Sequence, residues 1–285
     1  MPQEAQVSDR YAVFGNPVAH SRSPAIHAAF ARQTAQDIEY GRVLCPLDGF
    51  EAALREFVAG GGRGCNVTLP FKFEATRLAP HCSDRARLAG AANTLRFDAA
   101  GWFADNTDGV GLVRDIEHGA GVLLAGRRVL LVGAGGASAG VLGPLLAARP
   151  AAVVVANRTL DKARALVARH AGCAGEQGVQ LAASPLTQPG DAYDVVINAS
   201  ASSLQGQPSP VPPAVLGPGA LAVDLMYGSA AAPFLSWASA AGATARDGLG
   251  MLVEQAAESF FVWRGVRPLT APVLAAQRAS LAAPA

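Results

Sequence analysis

The stretch RRVLLVGAGGASAGVLGPLLAARPAAVVVANRTLDK (residues 127–162) decides the fold of this chain. It predicts an apolar strand at 129–132, a glycine loop at 133–138, an apolar helix, and a second strand that ends in Asn157-Arg158-Thr159. Glycines there permit a tight turn and let the backbone approach a pyrophosphate, whose charge the unpaired N–H groups of the next helix stabilise. The stretch therefore predicts a dinucleotide site.

The end of the second strand favours NADP over NAD. NAD-binding folds usually place an Asp or Glu there to accept the ribose hydroxyls. This chain has Asn157 and Arg158 instead, with Lys162 one helical turn further. Two cations suit a 2′-phosphate, so NADP is the predicted cofactor and hydride transfer the predicted chemistry.

Two alternatives exist for the glycine stretch. Ser138 replaces the third glycine of the fingerprint, and glycines between apolar runs can simply mark a strand that turns into a helix. Residues 129–148 also carry no charge and are long enough to span a bilayer. However, this segment holds five glycines and Pro144, with arginines on both sides. We therefore interpret it as a strand, a loop and a helix.

Length and composition favour two α/β domains. The chain has 285 residues, of which 51% are apolar and 16% charged, and the glycine stretch begins only near residue 129. This composition is typical of parallel sheets that helices cover on both faces. The net charge of +1 provides no field for nucleic acid or a membrane surface.

Cysteines and histidines indicate neither a disulfide framework nor a metal site. No C-x-x-C or H-E-x-x-H spacing occurs, and residues 1–10 contain no apolar run that would act as a signal peptide. We therefore expect no metal and a reducing cytoplasm. The cysteines are Cys45, Cys65, Cys82 and Cys173.

Hydrophobic patterns outside the glycine stretch predict further elements. Strands are predicted at 11–14, 38–44, 63–67, 194–198 and 221–225, a hairpin at 93–105, and helices at 25–33, 50–59 and 249–263. Residues 206–219 contain five prolines and are predicted to form a loop.

Short polar side chains collect where the predicted strands of the first domain end. Parallel sheets bind ligands at the carboxyl ends of their strands, so such groups suit a small polyhydroxylated or carboxylate substrate. They lie in the segments Ser21-Arg-Ser23-Pro24, Asn66-Val-Thr68-Leu-Pro-Phe-Lys72, Ala92-Asn93-Thr94 and Asn106-Thr107-Asp108.

Lys72 and Asp108 form the clearest acid/base pair in these segments. When a hydride reduces a carbonyl, an ammonium proton can neutralise the developing alkoxide, and help of this kind is worth about 100- to 10,000-fold in rate. The alternatives are that Lys72 is a solvated surface charge and that Asp108 is a helix cap.

Structural roles are also open for the other polar residues. Ser23 before Pro24 fits a helix N-cap, which leaves Ser21 unexplained. Asn66 and Thr68 can close a strand end through bonds to the backbone. A turn position for Asn93 and a solvated one for Gln255 are the corresponding alternatives.

Seven segments in order resemble the shikimate dehydrogenase family over nearly the whole chain. They are the four polar segments above, Gly133-Ala-Gly-Gly-Ala-Ser138, Asn157-Arg158-Thr159, and Asp247-Gly-Leu-Gly-Met-Leu-Val-Glu-Gln255-Ala-Ala-Glu-Ser-Phe. The resemblance implies NADPH-dependent reduction of 3-dehydroshikimate to shikimate on the route to aromatic amino acids. It also implies an N-terminal α/β substrate domain (1–107 and 248–285, including the final helices) and an inserted Rossmann-type NADP-binding domain (108–247).

The resemblance implies a role for each matching residue. Lys72 and Asp108 are the catalytic pair. Substrate contacts are implied for Ser21, Ser23, Asn66, Thr68, Lys72, Asn93, Thr107, Asp108, Tyr227 and Gln255. Cofactor contacts are implied for Gly133, Ala134, Gly135, Gly136, Ala137, Ser138, Asn157, Arg158, Thr159, Lys162, Met226 and Gly248.

The chain departs from the family pattern at two places, and three rival functions fit its residues less well. Ser200 stands where the family often has threonine, and Ser229 and Ala232 replace a common proline and threonine. The rivals are an NAD-linked quinate/shikimate dehydrogenase, a non-catalytic NADP-binding regulator, and a dehydrogenase of another small substrate. The expected partner is a small molecule, and the expected assembly is a monomer or homodimer.

Overall fold

The computed structural model describes residues 8–203 and 209–282, and these form two compact units. As far as they are described, the first unit comprises Met1–Thr107 with Ala256–Ala275, and the second comprises Asp108–Gln255 with Ala276–Ala285. Each unit contains one six-stranded sheet. In the described ranges, no helix combines the length and the apolar character that a membrane crossing needs.

The first unit holds a mixed sheet in the order β2-β1-β3-β5-β6-β4. β1 lies between β2 and β3 and pairs parallel with both. β5 pairs antiparallel with β3 and with β6. Its strands are β1 (Asp9–Gly15), β2 (Ile38–Leu44), β3 (Gly62–Val67), β4 (His81–Cys82), β5 (Thr94–Asp98) and β6 (Gly101–Asp105).

The first unit has an aromatic core and four helices. Phe14 of β1 and Leu54 are fully buried, and the rings of Phe50 and Phe71 stack with centroids 4.7 Å apart. Burying such rings stabilises the fold beyond the area that they remove from water. The helices are α1 (Ser23–Thr34), α2 (Phe50–Ala59), α3 (Lys72–Leu78) and α4 (Asp84–Ala89).

The second unit holds an all-parallel sheet in the order β12-β11-β10-β7-β8-β9. This is the doubly wound order 3-2-1-4-5-6 of dinucleotide-binding domains, in which the strand order reverses between β7 and β10. Ligands bind at such a switch point. Its strands are β7 (Arg128–Val132), β8 (Ala152–Asn157), β9 (Gln180–Pro185), β10 (Tyr193–Asn198), β11 (Leu216–Asp224) and β12 (Thr244–Arg246).

The remaining helices begin in the second unit or cross the unit boundary in the chain. α9 runs through Gln255 in the second unit and continues in the first. The helices are α5 (Asp108–Arg114) with a π-helical turn (Asp115–Gly119), α6 (Gly136–Ala147), α7 (Leu160–Gln177), α8 (Ala232–Ala240), α9 (Leu249–Arg264) and α10 (Ala271–Ala282), with 3₁₀ turns at Pro213–Val215 and Gly228–Ala231.

The predicted elements are present, including the strand, loop and helix that competed with a membrane span. The strand at 38–44 and the helix at 50–59 have the predicted bounds, and the hairpin lies within 93–105. The predicted loop at 206–219 is shorter, because β11 already begins at Leu216. Its first three residues, and residues 1–7 of the segment tested for a signal peptide, lie outside the described residues.

Candidate active site

Ser21 and Ser23 follow β1 in the first unit and face each other. The Ser21 hydroxyl donates to Ser23 Oγ at 3.2 Å, and Ser23 is only 5% exposed. The N-cap position of α1 is Arg22, and no side chain caps the helix. The N-cap interpretation of Ser23 is therefore wrong. Arg42 from β2 donates to the Ser21 carbonyl oxygen at 3.0 Å and fixes this segment.

Asn66, near the end of β3, is held from both sides of its amide. Its Oδ1 accepts the Tyr40 hydroxyl at 2.7 Å, and its Nδ2 donates to Ser259 Oγ at 3.0 Å and to the Asn93 carbonyl at 3.1 Å. One bond thus goes to the backbone, as the structural alternative proposed. The side-chain bonds fix the amide orientation, and Asn66 is 6% exposed.

Asn93, Thr94 and Thr107 form a buried network with Ser259. Asn93 Nδ2 donates to Thr107 Oγ1 at 2.8 Å, and its Oδ1 accepts the Thr107 backbone N–H at 2.8 Å. Ser259 Oγ lies 2.7 Å from Thr94 Oγ1 and 3.0 Å from Thr107 Oγ1. All four are at most 3% exposed. Asn93 is therefore a network residue that precedes β5, and the turn interpretation is wrong.

Thr68 lies between β3 and α3, and Lys72 is the first residue of α3. Thr68 is half-buried, and its N–H donates to the Phe14 carbonyl at 2.9 Å. Lys72 is also half-buried, and its carbonyl accepts from Ala92 N at 2.8 Å. This segment thus presents a hydroxyl and an ammonium group from a fixed backbone.

Asp108 begins α5 in the second unit and is 5% exposed. A carboxylate at this position favours the positive end of the helix, as the capping alternative holds. Burying a carboxylate costs free energy, whereas a capping carboxylate at the surface carries no such cost. The position therefore suits a functional carboxylate as well as a helix start.

The glycine loop combines a left-handed backbone at Gly133 with open space beside Gly135. Gly133 has φ +112°, and a Cβ there would lie 3.0 Å from Ala199. A Cβ at Gly135, the N-cap of α6, would meet nothing within 4 Å, so this backbone borders open space. Ser138 is fully buried, and its Oγ finds no partner within the described ranges. The loop also contains Ala134, Gly136 and Ala137, which complete the predicted set.

The carboxyl end of β8 carries two exposed cations. Asn157 ends the strand, and its Nδ2 donates to the Thr159 carbonyl at 2.8 Å, which shapes the turn. Arg158 and Lys162 are exposed, and neither forms an ion pair with a residue that the structure describes. A helix N-terminus and an open glycine backbone suit the pyrophosphate of NADP, and two available cations suit its 2′-phosphate.

Met226, Gly248 and Tyr227 lie at the carboxyl end of β11. Gly248 N–H donates to the Met226 carbonyl at 2.8 Å. A Cβ at Gly248 would lie 2.3 Å from the Leu225 carbonyl oxygen, so only glycine fits. Tyr227 is half-buried. Gln255 on α9 is 7% exposed and donates to the Leu252 carbonyl at 2.8 Å, so its interpretation as a solvated residue is wrong.

The departures from the family pattern have different surroundings. Ser200 donates its hydroxyl to Asn198 Oδ1 at 2.7 Å and is half-buried, so the hydroxyl has a structural use. Ser229 and Ala232 are both exposed, in and just after the 3₁₀ turn. Within the described ranges, no three His, Cys, Asp or Glu side chains cluster in a way that would hold a metal ion.

Pattern reasoning missed Ser259 and Tyr40. Ser259 lies four residues after Gln255 on α9, so helical spacing was a signal that could have identified it as lying on the same face. Nothing in the sequence marked Tyr40, because its partner Asn66 is 26 residues away in the chain.

Three family models match the chain in sequence order. The "Shikimate dehydrogenase substrate binding domain" matches residues 13–95, "Shikimate / quinate 5-dehydrogenase" matches 117–205, and "Shikimate 5'-dehydrogenase C-terminal domain" matches 248–276. A curated relative, "Shikimate dehydrogenase (NADP(+))" of Acidovorax ebreus (strain TPSY), is 63% identical over 276 residues, covering 97% of this chain and 98% of the relative.

Solved structures are similar to this chain over nearly its whole length. An Ael1 enzyme from Pseudomonas putida superposes with a TM-score of 0.86 at 46% identity, covering 97% of this chain and 99% of that one. Shikimate 5-dehydrogenase from Thermus thermophilus, in complex with NADP(H) and shikimate, has a TM-score of 0.81 at 33% identity, covering 95% and 99%.

Proposed function

The chain belongs to the shikimate dehydrogenase family, and on that premise we propose that it catalyses the reversible NADPH-dependent reduction of 3-dehydroshikimate to shikimate. The observation that carries this proposal is the set of buried hydroxyl and amide groups at the ends of strands in the first unit's sheet. A preformed set of hydroxyl and amide donors and acceptors suits a small ring that bears several hydroxyls.

The chemistry assigns separate tasks to cofactor and protein. When bound, NADPH supplies a hydride to the carbonyl carbon. The Lys72 ammonium donates the proton that turns the developing alkoxide into a hydroxyl, and it recovers a proton from solvent. Asp108 is the second member of this acid/base pair and holds a substrate hydroxyl. In the oxidation direction the same two residues take the proton away.

The two serines recognise the substrate carboxylate. Ser21 and Ser23 lie 3.2 Å apart at their hydroxyl oxygens, a spacing that suits two bonds to one carboxylate. The ring hydroxyls are held by Asn66, Thr68, Asn93, Asp108 and Gln255, with Thr107 and Tyr227 lining the site.

Cofactor recognition is divided along the second unit. The loop Gly133, Ala134, Gly135, Gly136, Ala137 and Ser138 takes the pyrophosphate at the start of α6. Asn157, Arg158, Thr159 and Lys162 take the adenosine end, where the two cations neutralise the 2′-phosphate. Met226 and Gly248 lie beside the nicotinamide.

The functional domains in this proposal are a substrate domain (1–107 and 248–285) and an NADP-binding domain (108–247). The enzyme acts as a monomer or homodimer in the cytoplasm. Four free cysteines support a reducing compartment.

The test is absorbance at the reduced-nicotinamide band with purified protein and shikimate or quinate, each with NADP or NAD. We expect a rate with shikimate and NADP far above the other three pairs. Comparable rates with quinate or NAD would reassign the chain to the broader dehydrogenase class. No rate in any pair would favour a non-catalytic binder. Lys72→Ala protein, purified by the same procedure, controls for a contaminating dehydrogenase.

A further inference from the structure

The carboxyl ends of β10 and β11 carry a buried polar cluster made of Asn198, Ser203 and Asp224, here called the Asp224 cluster. Asn198 and Asp224 are fully buried neighbours on paired strands, and Ser203 is 2% exposed. Ser203 donates its hydroxyl to Asp224 Oδ2, which also accepts Asn198 Nδ2 at 3.3 Å. Neither the sequence patterns nor the proposed roles used these residues.

The hydrogen bonds identify Asp224 as an ionised acceptor. Asn198 Nδ2 donates to Ser203 Oγ at 3.0 Å, so the Ser203 hydroxyl proton remains to be given to Asp224. The second carboxylate oxygen, Oδ1, accepts the Met226 N–H at 2.9 Å. Burial raises the pKa of Asp224, and these three donors act against that effect. Taking a carboxylate and its three donors out of water costs free energy, so a functional role for the cluster is expected.

The cluster fixes one short backbone segment. The Met226 N–H is bound by Asp224, and its carbonyl accepts Gly248 N–H at 2.8 Å. Leu225 N–H donates to the Asn198 carbonyl at 3.0 Å. Both polar groups of the Met226 backbone are therefore used, and the segment is held by β10 on one side and Gly248 on the other.

The position of this segment follows from the strand order. A dinucleotide lies across the switch point between β7 and β10, with its pyrophosphate at the glycine loop after β7. The two available cations after β8 mark the side that takes the adenosine end. The other half of the dinucleotide then extends over the carboxyl ends of β10 and β11, where the Asp224 cluster lies.

We propose that Asp224 is a positioning residue for the nicotinamide half of NADP(H): its carboxylate, held by Ser203 and Asn198, fixes the Met226 backbone that borders the ring. The inference rests on the proposed function for its cofactor. Asp224 acts through Met226 rather than by touching the reacting atoms. Its loss therefore affects ligands that carry the nicotinamide and spares those that lack it.

The experiment compares two ligands on Asp224→Asn protein. The amide places a donor against the donors Ser203 and Asn198, so the Met226 segment loosens. By calorimetry we expect the Kd of NADP+ to rise about tenfold, whereas the Kd of 2′,5′-ADP, which lacks the nicotinamide, changes less than about twofold. The KM for NADP+ rises with it and the KM for shikimate does not.

Two further variants keep the test decisive. Ser203→Ala removes one donor but keeps the charge, and we expect a rise in the NADP+ Kd of about threefold even if Asp224→Asn protein fails to fold. Asp194→Asn, near the opposite end of β10, is the control and leaves both constants unchanged. An equal loss of NADP+ and 2′,5′-ADP binding would show general loosening and overturn the proposal, as would unchanged NADP+ binding in both variants.

Binding and turnover separate this inference from the proposed function. If wild-type protein binds NADP+ but does not oxidise shikimate, the proposed function fails. The ratio of the two dissociation constants still decides the role of Asp224.

Discussion

Asn66, Asn93 and Ser259 in the first unit hydrogen-bond to one another and to their neighbours, whereas Arg158 and Lys162 in the second unit extend into solvent. The first region arranges its polar groups before any ligand arrives, and each group depends on the next. The second region presents separate charges, one just after β8 and one in the first turn of α7. Substitutions in the first should therefore spread through the network, and substitutions in the second should each remove one contact.

The two lysines test this comparison with the largest expected effect. Lys72→Ala should lower kcat for shikimate oxidation by about 100- to 10,000-fold, because it removes the proton donor. The Kd of shikimate should stay nearly unchanged, because the ammonium acts on the developing alkoxide. Lys162→Ala is the matched control and should raise only the KM for NADP+. A loss of shikimate binding equal to the loss of rate would contradict the role of Lys72.

Acid lability of the first unit gives the second test. His27 is fully buried and stacks on Tyr40 with ring centroids 4.3 Å apart, and burial lowers its pKa from 6.5 to about 3. The unfolded chain takes up the proton below pH 6.5 and the folded one does not. The free energy of unfolding is therefore unaffected by the titration of this histidine above pH 6.5. It falls by about 1.4 kcal/mol for each pH unit between 6.5 and 3.

Replacing the ring removes this slope. We compare urea unfolding of wild-type and His27→Phe protein at pH 7.5, 5.5 and 4.5 by the fluorescence of the three tryptophans, of which Trp263 has its ring centroid 5.2 Å from that of His27. The stability difference between the two proteins should shift in favour of His27→Phe by about 2.7 kcal/mol from pH 7.5 to pH 4.5. A constant packing cost cancels in this difference. Parallel pH profiles would refute the prediction.

The network around Ser259 gives a smaller effect. Ser259→Ala removes one partner from Asn66, Thr94 and Thr107, but each keeps a bond to Asn93. We expect a loss of about 1 to 2 kcal/mol in the free energy of unfolding and a higher KM for shikimate. A double-mutant cycle with Thr94→Val measures the coupling, and strictly additive losses would mean that the network is not cooperative.

The same contrast explains what the sequence could predict. The glycine loop and the cations after β8 act through local geometry and adjacent residues, so a pattern identifies them. Ser259 acts on Asn66 across 193 residues of chain, and no local pattern contains that pairing. The strands β9 and β12 were not predicted because they are the edges of the sheet, partly exposed, and lack the apolar run of a buried strand.

Arg158→Ala should have the smallest effect and separates the two regions most cleanly. The side chain is exposed and its removal leaves no buried group unpaired, so the free energy of unfolding should not change. The KM for NADP+ should rise about tenfold, through the lost contact to the 2′-phosphate, with no change for NAD. Arg164→Ala is the control, because Arg164 is exposed on the helix that follows, α7, but pairs with Asp161 at 3.1 Å. An equal rise for NAD would place Arg158 on another part of the cofactor, and a loss of stability would mean that this strand end, like the Ser259 network, supports the fold.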